Sequence, residues 1–307
     1  MRPRPPMAWR RRRVSPQWPP SPAISIEAAA KTCRNFQSPK PLPTLQPWTD
    51  LQRIRNQAPL VHNITNYVVM NSTANALLAL GASPVMAHAP EEVEEMVAIA
   101  GALVINIGTL SRPWIESMLS AGRAARRKGI PIVLDPVGSG ATRLRTETVL
   151  RLLEEAPPAI IRGNASEIRS LALAEKGTKG VDSTRDSVES VPAAQQLARR
   201  WRCVVSVSGP TDVIVDADSV IRVHNGDPMM TRVTGLGCTA TALTGAFAAV
   251  NPSALEAAAH AMVVMGVAGE IAALRSTGPG SLQVNFLDAL FLLGEDELRG
   301  RMRAGAD

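Results

Sequence analysis

From residue 46 onward, short apolar runs alternate with longer stretches in which apolar residues recur at helical spacing. The short runs are rich in Val, Ile and Leu, which predicts buried strands, and the longer stretches predict amphipathic helices. The predicted strands cover residues 60–64, 84–86, 103–107, 131–134, 159–161, 204–207, 213–215 and 220–223. The predicted helices between them cover residues 66–80, 90–100, 113–128, 146–155, 165–173 and 192–201.

This alternation of strands and helices predicts an α/β fold, in which a mostly parallel sheet is covered by helices on both faces. The last third of the chain departs from the pattern. Its two strand-like runs predict a hairpin around residues 216–218, and three helices follow without a strand, over residues 238–250, 252–273 and 279–293. The polar residues 176–190 predict a surface loop, and the polar residues 296–307 predict a fraying C-terminal tail.

The first 45 residues have a different composition, rich in Arg and Pro and without periodicity. Four consecutive arginines, Arg10 to Arg13, precede Val-Ser-Pro-Gln-Trp-Pro-Pro and not an apolar segment, so a secretory signal is not indicated. We therefore expect residues 1–45 to be a disordered extension or to result from a start codon placed too far upstream. A nucleic-acid-binding arm and a transit peptide are the alternatives. Residues 46–295 then form the single folded domain.

The net charge of +6 comes from this extension, because residues 1–45 alone contribute +8 and leave −2 for the remainder. A slightly acidic folded part gives no electrostatic reason to expect a nucleic-acid partner. No uninterrupted run of eighteen apolar residues occurs, so no membrane-spanning helix is predicted. The three cysteines, Cys33, Cys203 and Cys238, are scattered without a CxxC pair, which fits a reducing cytoplasm.

One candidate site lies where the glycine-rich segment at Gly235 and Gly237 leads into an uncharged, apolar helix. The first turn of a helix has unpaired N–H groups and the positive end of the helix dipole, which together favour an anion. Glycine lets the backbone approach a phosphate closely. The thiol of Cys238 would lie beside that anion site, where its pKa should fall. The alternative is an ordinary helix start with a small buried cysteine.

Other polar residues follow the predicted strands, where ligands bind in open α/β sheets. Asp135 follows one strand and precedes a glycine-rich turn, so its carboxylate could hold Mg²⁺, orient a hydroxyl or simply form an Asx turn. Arg162 could bind a phosphate and Glu167 could face Mg²⁺. Alternatively, Asn164 and Glu167 form a capping box at the start of a helix.

Three more strand ends carry candidate residues. Ser208 belongs to a Ser-Gly-Pro-Thr strand end that could line a nucleotide site or be only a turn. His62 and Asn66 bound a polar cluster after the first strand that could line a pocket. Met86 by itself is typical of a core residue. No Walker A, GxGxxG or HExxH motif is present.

Taken together, these motifs resemble the hydroxyethylthiazole kinase family of the ribokinase-like superfamily. The resemblance covers roughly residues 46–293 and is carried by five blocks in the family's order. These blocks are HNITNYVV from residue 62, NALLALGASPVM from residue 75, DPVG from residue 135, RGNASE from residue 162 and TGLGC from residue 234.

The resemblance implies a three-layer α/β/α sandwich and ATP-dependent phosphorylation of the hydroxyl of 4-methyl-5-(2-hydroxyethyl)thiazole, for thiamine biosynthesis. It also implies a cytoplasmic homotrimer with active sites between subunits. The roles it implies are thiazole contact for Met86, Gly235 and Asn66; ATP contact for Arg162, Ser208 and Gly237; Mg²⁺ binding for Asp135 and Glu167; and the catalytic base for Cys238. Ser208 stands where the family pattern has Thr.

Two other interpretations stay open at this point. A different ribokinase-like enzyme, such as a hydroxymethylpyrimidine kinase, a pyridoxal kinase or a nicotinamide-nucleotide-hydrate dehydratase, would usually have an acidic residue at the position of Cys238. A non-enzymatic ligand-binding or nucleic-acid-associated protein would use the basic extension, which the acidic body disfavours.

Overall fold

The computed structural model describes residues 44–175 and 187–306. The predicted N-terminal extension, apart from its last two residues, and most of the predicted loop at 176–190 lie outside the described residues. The strands are β1 Leu60–Ile64, β2 Ser83–Val85, β3 Ala102–Asn106, β4 Ile132–Asp135, β5 Ile160–Asn164, β6 Val204–Ser208, β7 Asp212–Val215, β8 Val220–Val223 and β9 Ala304–Ala306.

These strands form one sheet in the order β2-β1-β3-β4-β5-β6-β7-β8-β9. All the pairings from β2 to β6 are parallel, and the pairings from β6 to β9 are antiparallel. The predicted mostly parallel sheet and the hairpin of β7 and β8 are therefore confirmed. Because parallel neighbours end at the same edge, the carboxyl ends of β1, β3, β4, β5 and β6 lie side by side.

Helices cover both faces of the sheet. They are α1 Pro47–Gln57, α2 Met70–Leu80, α3 Val93–Ile99, α4 Arg112–Lys128, α5 Arg143–Glu155, α6 Ala165–Glu175, α7 Val191–Trp201, α8 Leu236–Val250, α9 Ala254–Leu274, α10 Pro279–Leu292 and α11 Glu295–Arg301. Short 3₁₀ turns at Val188–Ser190 and Pro228–Arg232 complete the described elements.

Two hydrophobic cores lie on opposite faces of the sheet, because successive side chains of a strand point to opposite sides. In β3, Val104 packs in the core formed with α1, α2 and α8 to α10, whereas Leu103 and Ile105 pack in the core formed with α3 to α7. This arrangement is the predicted three-layer α/β/α sandwich.

Helix α9 is long and apolar enough by length and composition to span a membrane. However, 83% of its most apolar window is buried among the protein's own residues, as expected of a core helix. It packs beside α8 and α10 in the core on one face of the sheet.

The structure differs from the predicted elements at the ends of the folded part. Helix α1 was not predicted, although Pro47 in its first turn and the buried pair Leu51 and Ile54 follow helical rules. Helix α2 begins at Met70 and not at residue 66, because the Asn66 side chain accepts the N–H of Val68 and holds the chain in a turn (3.1 Å).

Residues 296–306 do not form the predicted fraying tail. They belong to α11 and to β9, which pairs with β8. Asn225 fixes this segment, since its side-chain amide donates to the carbonyl of Arg301 (2.8 Å) and its Oδ1 accepts the N–H of Arg303 (2.8 Å). These long-range bonds and the buried Leu298 explain why polar composition alone gave the wrong prediction.

The Leu298→Ala variant is expected to lower the free energy of unfolding by about 2–5 kcal/mol, because it leaves a cavity under α11. Urea unfolding measures this change. Arg299→Ala, at an exposed position of the same helix that pairs with Glu295, is the matched control and should change stability by less than about 0.5 kcal/mol. Equal, negligible effects of the two substitutions would show that this segment does not stabilise the fold and behaves as a frayed tail.

Candidate active site

Polar side chains from three neighbouring strand ends form a continuous chain of hydrogen bonds. Asn66, two residues after β1, donates from Nδ2 to Oδ1 of Asn106 at the end of β3 (2.9 Å). Asn106 in turn donates from Nδ2 to Oδ2 of Asp135 at the end of β4 (2.7 Å). All three side chains are buried. The carboxylate of Asp135 is thus held in one orientation at the carboxyl edge of the sheet.

The first turn of α8 lies against this carboxyl edge of the sheet. The helix follows Gly235, whose φ of +86° favours glycine and whose added Cβ would lie 2.6 Å from Cγ1 of Val69. Thr241, in the second turn, donates its hydroxyl to Oδ2 of Asp135 (2.8 Å). The helix N-terminus and the Asp135 carboxylate are therefore fixed relative to each other.

Cys238 lies in the first turn of α8, beside Asn66. The Nδ2 of Asn66 donates to its Sγ (3.4 Å). Burial and the nearby Asp135 carboxylate raise the pKa of the Cys238 thiol to about 11. The predicted fall of this pKa is therefore wrong, because both influences favour the neutral thiol.

Asp135 is almost completely buried. Burial raises the pKa of its carboxyl to about 6; Arg162 acts to lower it and Glu167 to raise it. A negative charge on a buried carboxylate is costly, and a cation beside it offsets that cost. Its environment therefore favours a bound positive charge.

Glu167 links the ends of β4 and β5. Its backbone N–H donates to Oδ1 of Asn164 (2.9 Å), and its Oε2 accepts the N–H of Asn164 (2.9 Å), so the predicted capping box is present. Its Oε1 also accepts the N–H of Gly138, in the turn after Asp135 (2.9 Å). The Glu167 side chain therefore has a second contact besides its capping role, with the turn beside Asp135.

Arg162, near the end of β5, is buried and reaches α8. One of its terminal nitrogens donates to the carbonyl of Gly237 (2.8 Å), while its Nε has no hydrogen-bond partner among the described residues. An unpaired buried donor on a cation is costly unless an anion completes it. Arg162 is therefore suited to bind an anionic group at the start of α8.

The structure thus joins five of the predicted site residues through hydrogen bonds: Asn66, Asp135, Arg162, Gly237 and Cys238. Glu167 is bonded to the adjoining turn. The remaining three lie around this network. Gly235 precedes α8, Ser208 ends β6 and contacts the carbonyl of Gly163 through its hydroxyl (3.5 Å), and Met86 follows β2, where its carbonyl lies 3.4 Å from Nδ1 of His88.

Two residues of the network were not identified from the sequence. Asn106 lies inside the predicted strand 103–107, and an amide in such an apolar run was a usable signal. Thr241 lies three residues after Cys238 and hence on the same helix face, but a threonine in an apolar helix has no distinctive pattern.

The acidic residues of the site suit a Mg²⁺ ion that takes most of its ligands from phosphate and water. Within residues 44–175 and 187–306, no group of three or more His, Cys, Asp or Glu side chains gathers. Asp135 and Glu167 provide a carboxylate pair at neighbouring strand ends. Mg²⁺ is commonly held by one or two carboxylates together with substrate phosphates and water, so this pair suits a metal that arrives with a phosphate ligand.

Comparisons with known proteins identify the family of this chain. Residues 51–296 match the hydroxyethylthiazole kinase family. The hydroxyethylthiazole kinase of Syntrophus aciditrophicus is 60% identical over 257 residues, which cover 83% of this chain and 95% of that protein. The same-named protein of Nitratidesulfovibrio vulgaris, strain Miyazaki F, is 55% identical, with 84% and 97% covered.

Solved structures with a similar fold include a protein of the same family. The hydroxyethylthiazole kinase protein of Pyrococcus horikoshii is similar with a TM-score of 0.79 and 44% identity, covering 84% of this chain and 98% of that one. The pyridoxal kinase of Staphylococcus aureus has a TM-score of 0.54 and 17% identity, with 69% and 87% covered, which shows a shared fold alone. By the family match and these identities, the chain belongs to the hydroxyethylthiazole kinase family.

Proposed function

We propose that this enzyme transfers the terminal phosphoryl group of ATP to the hydroxyl of 4-methyl-5-(2-hydroxyethyl)thiazole, in thiamine biosynthesis or salvage. The observation that carries the proposal is the single network that brings Asp135, Cys238 and Arg162 to the N-terminus of α8. Such a site combines a cation, a helix N-terminus and a carboxylate. These are the parts that phosphoryl transfer requires, because it depends mainly on positioning and charge neutralisation.

Each group has a proposed role. Arg162 and the backbone N–H groups from Gly235 to Cys238 would bind the transferring phosphoryl group and stabilise its charge. Ser208 and Gly237 would contact ATP together with Arg162. Met86, Gly235 and Asn66 would contact the thiazole. Asp135 and Glu167 would hold Mg²⁺, which would neutralise negative charge on the phosphates. Both oxygens of Glu167 already accept backbone N–H groups, which favours contact through water.

The thiolate form of Cys238 is the proposed acceptor of the alcohol proton. Its pKa of about 11 means that only a small fraction of the thiol is thiolate at neutral pH. We therefore expect the Cys238→Ala variant to lower kcat by about 10²-fold, at the lower end of general-base effects. A steady-state assay of ADP release measures this loss. Near-complete inactivation of a correctly folded variant would instead make the thiol indispensable and contradict the expectation.

We also infer a homotrimer with active sites between subunits, working in the cytoplasm with no membrane or nucleic-acid partner. Exposed apolar side chains on the neighbouring helices α2 and α10 support self-association, among them Leu78 (59% exposed), Val284 (62%) and Phe291 (68%). Sedimentation equilibrium should give the mass of three chains. A monomer that is fully active would exclude sites shared between subunits.

The direct test of the activity is ADP release by the full chain with Mg·ATP, in the presence and absence of hydroxyethylthiazole. Thiazole-dependent turnover is the expected result. Pyridoxal and hydroxymethylpyrimidine, offered in parallel, distinguish the other ribokinase-like activities. ADP release with one of these alcohols and not with the thiazole would overturn the proposed substrate but leave the phosphate site in place.

A further inference from the structure

One peptide unit in the turn after Asp135 is held by oppositely charged side chains at its two ends. The carbonyl of Val137 accepts a hydrogen bond from a terminal nitrogen of Arg145 (2.7 Å). The N–H of Gly138, in the same peptide unit, donates to Oε1 of Glu167 (2.9 Å). A guanidinium at the oxygen and a carboxylate at the hydrogen both act along the peptide dipole, so each bond strengthens the other.

Arg145 also holds the neighbouring strand end. The nitrogen that binds Val137 donates to the carbonyl of Ile107 (2.9 Å), and the second terminal nitrogen donates to the carbonyl of Gly108 (2.8 Å). One guanidinium therefore fastens the turns after β3 and β4 to each other. Arg is suited to this task because its planar group presents several donors in fixed directions, whereas Lys presents a single compact ammonium.

The backbone of the turn is shaped for this contact. Gly138 has a φ of +68°, and a Cβ at this position would lie 3.3 Å from Cδ of Arg145. Glycine both permits the left-handed conformation and leaves space for the Arg145 side chain. Among the described residues, the hydrogen bonds of the Arg145 guanidinium all go to backbone carbonyls. Arg145 therefore acts on the site through the backbone: through the turn at Gly138, and through Gly108, whose N–H donates to Oδ1 of Asn106 (2.9 Å).

We propose that Arg145 is a positioning residue that orients the Glu167 carboxylate through the peptide between Val137 and Gly138. The proposal rests on the proposed role of Glu167 in holding Mg²⁺. Loss of Arg145 frees the carbonyl of Val137, lets this peptide rotate and removes the N–H that holds Oε1 of Glu167. The consequence is weaker Mg²⁺ binding with nucleotide.

The test compares Arg145→Met with Arg143→Met in the full chain. Arg143 lies two residues earlier on α5 and forms an exposed ion pair with Glu147, so it is a matched control. Hydrogen exchange of the segment 136–140 reports directly on the Gly138 amide. Calorimetric titration of Mg²⁺ in the presence of ADP reports on the metal, independently of turnover.

Arg145→Met should speed exchange in this segment and weaken Mg²⁺ binding by about tenfold, the usual size of an effect transmitted to a metal through a second residue. Arg143→Met should match the wild type in every measurement. Arg145→Lys, which keeps the charge and much of the packing, should resemble Arg145→Met if the several directed bonds matter. It also replaces the Met variant if that variant fails to fold.

A double-mutant cycle with Glu167→Gln separates positioning from general destabilisation. If Arg145 acts through the Glu167 carboxylate, Arg145→Met should weaken Mg²⁺ binding by less than about twofold further in the Glu167→Gln background. An equal loss in both backgrounds, or unchanged exchange at 136–140, would overturn the proposal. If the wild type does not phosphorylate the thiazole, the proposed function fails, while the exchange and calorimetric comparisons still decide the role of Arg145.

Discussion

Asp135→Asn is expected to lower kcat/KM by roughly 10³-fold, which corresponds to about 4 kcal/mol of transition-state stabilisation. The substitution keeps the size of the side chain but removes the negative charge that we propose attracts Mg²⁺. It also places an amide where Asn106 and Thr241 both donate hydrogen bonds to Oδ2. The loss is measured in steady-state assays at several Mg²⁺ concentrations, and high Mg²⁺ should recover little of it.

Asp218→Asn, at an exposed position in the turn between β7 and β8, is the control and should retain full activity. The pH dependence gives a second check. Because the pKa of Asp135 is raised to about 6, protons should compete with Mg²⁺ as the pH falls below 6, and the apparent affinity for Mg²⁺ should weaken there. Wild-type activity in Asp135→Asn would remove Asp135 from the proposed metal site.

Arg162→Met is expected to reduce kcat by roughly 10²–10³-fold, the effect of losing one preorganised donor to a developing negative charge. The side chain is buried, it donates to the carbonyl of Gly237, and its Nε has no partner among the described residues. Methionine fills a similar volume without the charge. Single-turnover measurements with saturating ATP separate this loss in the chemical step from weaker nucleotide binding.

Arg151→Met is the matched control, since the ion pairs of Arg151 within the described part of the chain, with Glu155 and Glu116, lie at the surface. It should leave both kcat and the KM for ATP unchanged. A rise in the KM for ATP with an unchanged kcat in Arg162→Met would show that Arg162 binds nucleotide equally in the ground and transition states. That result would contradict its proposed role in the transfer step.

The sequence predicted much of the fold because periodicity is a local property. Apolar runs such as those of β3 and β6 identify strands, and the capping pattern of Asn164 and Glu167 identifies the start of α6 without knowledge of distant residues. The alternation of the two element types then restricts the sheet to a mostly parallel arrangement. Asp135 and Arg162 could be proposed as site residues because ligands bind beyond the carboxyl ends of such strands.

The sequence by itself therefore determined the three-layer fold, the strand ends that carry polar side chains and, through its motifs, the family. Only the tertiary structure decided which of those side chains meet. Asn106 joins Asp135 across 29 positions of the chain, and Asn66 joins Cys238 across 172. The pKa of Cys238 depends on burial and on the Asp135 carboxylate, and residues 296–306 are ordered by their pairing with β8 and by Asn225. These properties arise from packing between distant segments, and a local pattern of residues does not contain them.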